Sequence, residues 1–266
     1  MKTRADVRLV RDGLAPSREK ARRMILEGRV TADSRRVTRP SEALSDDARV
    51  AVAADTGEPV GRGALKLRHA LHVFRFPVEG LVFIDVGAST GGFTQCLLEH
   101  GARLVYAVDV GRGQLSERLR ADARVRVMEQ TNARFLRPEQ FDSRPDAAVI
   151  DVSFISILKI VPALAGIVPV GGFVIALVKP QFEAGPNAGR RGVIRDSATH
   201  RAVLGDVLGG MAAQGFGPEA LAPSPVRGRA GNLEFLLMAR RAEAVTRTAW
   251  SERIATVVDE AHQLPK

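Results

Sequence analysis

A buried-strand pattern that runs into a glycine-rich turn constrains the fold of this chain more than any other feature. Four apolar residues, Leu81–Ile84, lead into Asp85, and glycine then occupies positions 87, 91 and 92. A short apolar run bounded by turn residues is typical of a buried strand. Glycine lets a backbone turn sharply and approach a ligand closely. Because a helical pattern follows at residues 93–100, the turn joins a strand to a helix, which is where open α/β sheets bind cofactors.

Strand and helix patterns alternate along the rest of the chain. This alternation predicts an α/β domain whose sheet is mostly parallel and has helices on both faces. A further helix is expected over Ala64–Phe74, and residues 241–266 are expected to form a helix or a frayed tail. The predicted strands are Val82–Val86, Leu104–Val108, Val125–Met128, Ala147–Ile150, Gly172–Val178 and Leu233–Ala239, and the predicted helices are Phe93–His100, Gln114–Ala121, Ile157–Ala165 and Ser197–Gln214.

Length and composition exclude several classes of protein. The 266 residues allow one α/β domain and a small second one. There is no apolar run of membrane-spanning length, and the N-terminus lacks the apolar core of a secretion signal. The single cysteine, Cys96, excludes an internal disulfide framework and a cysteine-based zinc cluster, and no other metal-ligand cluster is evident. We therefore expect a cytoplasmic protein that needs no metal.

Positive charge is concentrated at the N-terminus. The net charge is +9, and residues 1–40 carry 12 Lys and Arg against 5 Asp and Glu. Such an excess favours a polyanionic partner, nucleic acid above all. Ser17 is the expected N-cap of a helix that ends near Gly28 and carries several basic side chains within two turns. We expect these side chains to form an exposed cationic face that binds RNA together with Arg4; the alternative is a solvated helix without a partner. The basic residues of the helix are Arg18, Lys20, Arg22 and Arg23.

This N-terminal stretch resembles the S4-type RNA-binding domain. The family pattern S-R-x-x-A-x-x-x-I-x-x-G-x-V is matched in type and spacing by residues 17–30, and short strands are expected at Val30–Val37 and Arg49–Ala53. The resemblance implies binding of structured RNA through phosphates and shape rather than base edges. One departure is Thr31–Ser34, where the family has a Val-Asn-Gly turn. We assign residues 1–60 to this domain, with a linker at about 54–63.

The glycine-rich turn resembles the D-x-G-x-x-x-G-G loop of S-adenosylmethionine-dependent methyltransferases. An acid at the end of the following strand, Asp109, is placed to accept hydrogen bonds from ribose hydroxyls of either this cofactor or NAD. Asn132 follows the third strand, where methyltransferases contact the adenine; it could also be an ordinary loop residue, and the glycines could form a purely structural turn. The expected cofactor contacts are Asp85, Gly87, Ser89, Thr90, Gly91, Gly92, Phe93, Asp109, Asn132 and Asp151.

Asp151 and Lys179 end the fourth and fifth predicted strands. The carboxyl ends of parallel strands meet at one edge of a sheet, so these side chains should share a cleft; a structural ion pair is the alternative. Methylation of a ribose hydroxyl needs a group that positions the hydroxyl and takes up its proton. A lysine can accept that proton only when neutral, whereas a neighbouring carboxylate favours its charged form. The sequence leaves open which state prevails.

Four residues match, in order, the tetrad of FtsJ-type ribose 2′-O-methyltransferases: Lys66, Asp151, Lys179 and Glu234. The strings at 151–156, 179–183 and 192–196 are similar to those of the TlyA (haemolysin A) family, and the likeness covers roughly residues 4–240. It implies a Rossmann-like class I methyltransferase domain at 64–242, a C-terminal helix or tail at 243–266, and S-adenosylmethionine as cofactor. It also implies 2′-O-methylation of cytidines in 16S and/or 23S ribosomal RNA, on ribosomal subunits.

Other functions are disfavoured by what the sequence lacks. Amino-nitrogen methylation usually uses an N/D-P-P-Y/F motif, and residues 151–154 read Asp-Val-Ser-Phe. Pyrimidine carbon-5 methylation needs a cysteine nucleophile, and Cys96 falls on the helix after the glycine turn. The dehydrogenase spacing G-x-G-x-x-G is missing, and no amphipathic or membrane-spanning segment supports a membrane-active protein. A catalytically silent RNA-binding or ribosome-assembly factor remains the alternative.

Overall fold

The computed structural model describes residues 2–26, 28–53, 63–185, 192–228, 231–245 and 249–264. We call residues 2–53 the small domain and residues 63–264 the large domain. The expected linker at 54–63 lies outside the described residues except for Gly63, which begins a helix.

The small domain packs two helices against short strands. Ser17 Oγ accepts the backbone N–H of Lys20 at 3.2 Å, which confirms the predicted N-cap. Asp33 and Ser34 adopt φ of 50° and 65°, so this turn reaches the left-handed conformation of a tight hairpin without glycine. The elements are β1 (Lys2–Arg4), α1 (Ala5–Arg11), α2 (Arg18–Leu26), β2 (Val30–Ala32), β3 (Arg35–Arg36), β4 (Ala43–Ser45) and β5 (Val50–Val52), with β1 paired to β4 and a second sheet in the order β3-β2-β5.

A seven-stranded sheet forms the centre of the large domain and confirms the predicted α/β fold. Its order is β11-β12-β10-β9-β6-β7-β8; β12 runs antiparallel to both β10 and β11, and the other neighbouring strands are parallel. Four predicted strands have their predicted bounds, whereas β11 was not predicted. The strands are β6 (Val82–Val86), β7 (Leu104–Val108), β8 (Val125–Met128), β9 (Ala147–Ile150), β10 (Phe173–Val178), β11 (Phe216–Pro223) and β12 (Phe235–Arg241).

Helices cover both faces of this sheet, as predicted. Neighbouring strand residues point to opposite faces: Ile84 packs in the core beneath α6, α8 and α9, whereas Phe83 packs in the core beneath α3 and α4. The expected helix at 114–121 is shorter than predicted, and the C-terminal segment is a helix rather than a frayed tail. The helices are α3 (Gly63–Phe74), α4 (Gly92–Glu99), α5 (Glu117–Arg120), α6 (Val161–Ala165), α7 (Pro180–Glu183), α8 (Ser197–Ala213) and α9 (Ser251–Gln263), with short 3-10 helices at 133–135, 138–140 and 157–159.

The basic helix α2 lies against the large domain. Arg23 is buried and donates to Glu117 Oε1 at 2.5 Å and to the carbonyl of Leu115 at 3.4 Å. Lys20 is half-buried and pairs with the same carboxylate. The expectation that all four basic side chains of this helix are exposed is therefore wrong, because an acid of the neighbouring domain binds two of them. Arg18 and Arg22 remain exposed.

Glu117 holds the two domains together at this point. Hydrogen bonds from Lys20 and Arg23 lower the pKa of its carboxyl to about 2, so it is ionised at any physiological pH. Its neighbourhood is tight, since a Cβ on Gly113 would overlap the carboxylate of Glu19 in α2. The loop at 113–117 is therefore the docking surface for the small domain.

We predict that Glu117→Ala weakens this docking. The buried Arg23 guanidinium would lose its carboxylate partner, at a cost on the order of 1 kcal/mol in the free energy of unfolding. Thermal unfolding should begin earlier, and small-angle scattering should report a larger radius of gyration. Glu139→Ala, at an exposed position of the 3-10 helix at 138–140, is the control. An unchanged melting temperature and radius would show that the ion pair does not hold the domains together.

Candidate active site

The strand register brings most of the predicted site residues to one edge of the sheet. Val86 pairs with both Val108 and Ile150, so the residues that follow them, at positions 87, 109 and 151, lie on adjacent strands. Val178 pairs with Phe235 in the antiparallel pair. Lys179 directly follows β10 and Glu234 directly precedes β12. Because the two strands are antiparallel, these residues lie opposite each other at the same edge of the sheet.

The glycine-rich turn is fixed by backbone contacts as well as by its composition. The N–H groups of Gly87 and Ala88 both donate to the carbonyl of Val108, at 2.9 and 3.1 Å. Gly87 has φ of 86°, and a Cβ there would lie 2.6 Å from the carbonyl oxygen of Asp151. Glycine at this position is thus required by the close approach of two strand ends, whatever the turn binds.

The turn leads into a helix whose N-cap residue has no side chain, although the buried Asp85 carboxyl accepts the backbone N–H of Thr94 in its first turn. Gly91 is the N-cap of α4, with φ of 101°, and Thr90 and Phe93 are buried on either side of it. The first N–H groups of a helix have no partners within it and attract negative charge. The start of α4 can therefore bind a carboxylate or phosphate.

Asp85 lies beneath this turn and is fully buried in β6. Burial raises the pKa of its carboxyl to about 7; the hydrogen bond from Thr94 Oγ1 at 2.6 Å opposes the rise, and repulsion from Asp151 and Asp109 adds to it. Its second oxygen, Oδ1, is buried without a hydrogen-bond partner among the described residues. Asp85 thus connects β6 to α4 and has no surface that faces solvent.

The side chains of Asp109 and Asn132 both accept hydrogen bonds from nearby backbone N–H groups. The two carboxylate oxygens of Asp109 accept the N–H groups of Ser89, at 2.8 Å, and Gly111, at 2.7 Å. Each oxygen can still accept one further bond, as a ribose diol would need. The side-chain oxygen of Asn132 caps the 3-10 helix at 133–135 by accepting the N–H of Arg134 at 3.1 Å. Ser89 is half-buried in a left-handed conformation, with φ of 49°.

The four residues of the predicted tetrad form two ion pairs, in which every side chain but that of Asp151 is buried. Lys179 Nζ lies 2.6 Å from Asp151 Oδ1 and 3.0 Å from Ser153 Oγ. Lys66 Nζ lies 2.5 Å from Glu234 Oε2. The side chains of Lys66, Lys179 and Glu234 are at most 10% exposed. The pairs are neighbours, because a Cβ on Gly63, one helical turn before Lys66, would lie 3.8 Å from Asp151 Oδ2.

Buried ion pairs of this kind are expensive to form. Removing two charges from water costs several kcal/mol per ion, and the attraction between them often no more than offsets that cost. Two such pairs side by side at a strand edge are therefore better explained by chemistry than by stability.

Phe154 was not predicted as a site residue. It is 87% exposed, has φ of 66°, and follows Ser153, the hydrogen-bond partner of Lys179. Its ring lies 4.9 Å from that of Phe182, measured between centroids. The signal in the sequence was a phenylalanine in the short segment that follows the strand end and Asp151, although the neighbouring Val152 and Ile155 are apolar as well.

Comparison with known proteins identifies the two domains. Residues 59–241 match the FtsJ-like methyltransferase family and residues 3–50 match the S4 domain. The 16S/23S rRNA (cytidine-2′-O)-methyltransferase TlyA of Mycobacterium tuberculosis is 42% identical over 241 residues, which cover 90% of each chain. Hemolysin A of Brachyspira hyodysenteriae is 39% identical over 227 residues, 85% of this chain and 94% of that protein.

The fold is also similar to a solved structure. A protein from Streptococcus thermophilus, 43% identical, superimposes with a TM-score of 0.77 over 98% of this chain and 96% of its own. None of the helices that the structure describes combines the length and hydrophobicity of a membrane span. Within the same residues, no three side chains of the metal-binding types are grouped as a metal site requires.

We predict that Asp85→Asn stabilises the protein above neutral pH. The pKa of Asp85 is about 7 in the folded protein and near 4 in an unfolded chain, so its contribution to stability is present below pH 4 and is lost as the pH rises through 7. The free energy of unfolding of the variant, relative to that of the wild type, should therefore increase by on the order of 3 kcal/mol when the pH is raised from 5 to 8. Denaturant unfolding at both pH values measures this difference. Asp206→Asn, on the exposed face of α8, is the control, and parallel pH curves for wild type and Asp85→Asn would contradict the prediction.

Proposed function

The chain belongs to the TlyA family, in which an S4 domain precedes an FtsJ-like methyltransferase domain, and on that premise we propose that it methylates ribose 2′-hydroxyls of ribosomal RNA. The observation that supports this best is the pair of buried lysine–carboxylate contacts at the edge of the sheet. Two relatives are named as rRNA (cytidine-2′-O)-methyltransferases. Cytidines of 16S and/or 23S rRNA are therefore the proposed target, and ribosomal subunits in the cytoplasm the proposed partners.

The turn at 87–92 suits S-adenosylmethionine, which supplies an electrophilic methyl group on a sulfonium. The N–H groups of Gly92 and Phe93, at the start of α4, would bind its carboxylate. The open lone pairs of Asp109 would accept the ribose hydroxyls. Asn132, an exposed residue in the loop after β8, would lie beside the adenine. Asp85 would act indirectly, by holding Thr94 and the first turn of α4.

Lys179 is the proposed group that handles the 2′-hydroxyl. Asp151 and Ser153 contact its Nζ beside the strand ends. In its neutral form the amine accepts the hydroxyl proton, and the resulting ammonium is stabilised by the Asp151 carboxylate. Lys66, held by Glu234, provides a second fixed donor for the ribose. Preorganised charges of this kind contribute to catalysis because they need no rearrangement during the reaction.

Phe154 is the proposed contact for the target base. Its exposed ring lies one residue from the Ser153 hydroxyl that bonds Lys179, and Phe182 supports it. A nucleotide that leaves its helical stack to enter a cleft loses stacking contacts, and nucleic-acid-binding proteins commonly replace these with an aromatic side chain. We therefore expect the target cytidine to stack on Phe154.

The alternative chemistry at pyrimidine carbon 5 is not supported by the geometry. Cys96 lies buried in α4, and burial raises the pKa of its thiol to about 12, so the thiolate that such chemistry needs is scarce. The cysteine is part of the hydrophobic core between the sheet and its helices.

The small domain would bring the RNA to this cleft. Arg4 and Arg18 are exposed and both donate to the buried carboxylate of Asp6, which fixes their direction. Arg22 is exposed on the same helix as Arg18. Lys20 and Arg23 have the different task of docking the domain, so we propose Arg4, Arg18 and Arg22 as the phosphate contacts.

We predict that Lys179→Ala abolishes methyl transfer and leaves cofactor affinity within about 3-fold of wild type. Loss of a positioned proton acceptor typically costs 10²–10⁴-fold in rate. Labelled S-adenosylmethionine and unmethylated 30S and 50S subunits provide the assay, with Lys159→Ala, at an exposed lysine, as the matched control. An active Lys179→Ala variant would remove Lys179 from its proposed role. A wild type that binds the cofactor but labels neither subunit would instead support an RNA-binding factor without catalysis.

We predict that the double variant Arg18→Gln, Arg22→Gln binds ribosomal RNA more weakly at low salt. Each lost phosphate contact should reduce the slope of log affinity against log salt by about 1. Filter binding of an rRNA fragment over a salt series measures both effects. Arg201→Gln, on α8 and paired with Asp259, is the control. If affinity and slope both stay at wild-type values, these arginines belong to a solvated face.

A further inference from the structure

The residues after Asp151 form a short, partly exposed segment, which we call the substrate loop (residues 152–156). It contains Ser153 and the exposed ring of Phe154, whose backbone is in the left-handed region at φ of 66°. That conformation is strained for a side chain of this size and persists only where the surroundings hold it. The neighbouring residues must therefore hold the substrate loop in this conformation.

The N-terminal end of the loop is held by Lys179. Its Nζ bonds Ser153 Oγ at 3.0 Å and pairs with Asp151, the residue before the loop. Both contacts depend on the point where β10 ends, since Lys179 follows it directly. The proposed catalytic lysine therefore also positions the N-terminal end of the substrate loop.

The C-terminal end is held by Glu183, the last residue of α7. Glu183 Oε1 accepts the backbone N–H of Ile157 at 2.9 Å, and its carboxyl also hydrogen-bonds the side chain of Ser156. Lys179 and Glu183 are four residues apart across a single helical turn that begins with Pro180. Between them, Phe182 contacts the ring of Phe154. Residues 179–183 thus contact the substrate loop at both ends and in the middle.

The surroundings of Glu183 indicate why an acid is present there. Burial raises the pKa of its carboxyl, and hydrogen bonds from Ser156 and Ile157 oppose this rise. A half-buried carboxylate that is bonded to a loop backbone stabilises that loop at the cost of its own desolvation. Glu183 lies four residues after the proposed catalytic lysine. The desolvation cost of its carboxylate is therefore explained if the substrate loop has to be held in one conformation.

We propose that Glu183 is a positioning residue for the methyl transfer proposed above, on which this role depends: it fixes the substrate loop so that Phe154 and Ser153 meet the target nucleotide in register with Lys179. Glu183 does not contact the reacting atoms. It acts through the N–H of Ile157 and the hydroxyl of Ser156, and therefore needs a hydrogen-bond acceptor rather than a charge.

The test compares Glu183→Ala with Glu183→Gln, whose amide oxygen can still accept the N–H of Ile157. With the ribosomal subunit that wild type labels, Glu183→Ala should lower kcat about 30-fold or more and change KM less, since misplacement of reacting groups costs up to about 10²-fold. Glu183→Gln should stay within about 3-fold of wild type, and both should bind S-adenosylmethionine normally. Glu139→Ala is the control at an exposed acid. If Glu183→Ala lowers the melting temperature strongly, Glu183→Leu, which fills the same volume, replaces it.

A double-mutant cycle tests the route through the loop. When Glu183→Ala is combined with Phe154→Ala, the loss should be within about 3-fold of the more impaired single variant, because both changes remove the same placed ring. When Glu183→Ala is combined with Asp109→Ala, outside the loop, the losses should multiply.

Three results would overturn the assignment. Near-normal activity of Glu183→Ala or Glu183→Leu would show that the loop needs no such support. Equal losses in Glu183→Gln and Glu183→Ala would show that charge is required. Multiplied losses with Phe154→Ala would show that Glu183 acts elsewhere. A wild type that forms no 2′-O-methyl ribose would instead refute the proposed function, so the two failures are distinguishable.

Discussion

The candidate site depends on one constraint, the pairing of β12 with β10. Because β12 runs antiparallel, its first residues lie beside the last residues of β10, and Glu234 is brought to the edge at which Lys179 and Asp151 emerge. A parallel strand in that position would have placed its N-terminal end at the opposite edge. The reversed strand therefore allows a fourth tetrad residue to come from near the end of the chain, 168 residues from its partner Lys66.

Much of this edge could be predicted from the sequence. Buried parallel strands appear as short apolar runs, so four of them were predicted with their observed bounds, and the residues at their ends could be assigned to one cleft. The ion pair between Lys179 and Asp151 follows from that reasoning. The strand β11 could not be found this way, because residues 216–223 contain Gly217 and Pro218. They form a strand only by pairing with β12, with a register shift near Pro218.

Two other differences between prediction and structure have tertiary causes. The helix expected from residue 114 begins at Glu117, because Glu129 binds the N–H groups of residues 113–115 and keeps them in a loop. Arg23 is buried rather than exposed because that loop presents Glu117 to it. One helix of the small domain therefore divides its charge between docking and the proposed RNA contacts. The pattern of apolar and charged residues along one helix cannot separate these roles, because it contains no information about the neighbouring elements.

The position of the methyl group on the product tests the central claim most directly. The wild-type protein would methylate the accepting ribosomal subunit with labelled S-adenosylmethionine, and the purified RNA would be hydrolysed in alkali. A 2′-O-methyl group removes the hydroxyl that alkaline cleavage requires, so the account predicts label in alkali-resistant dinucleotides that begin with cytidine. Label in mononucleotides would place the methyl group on a base and contradict the role assigned to the two lysine–carboxylate pairs.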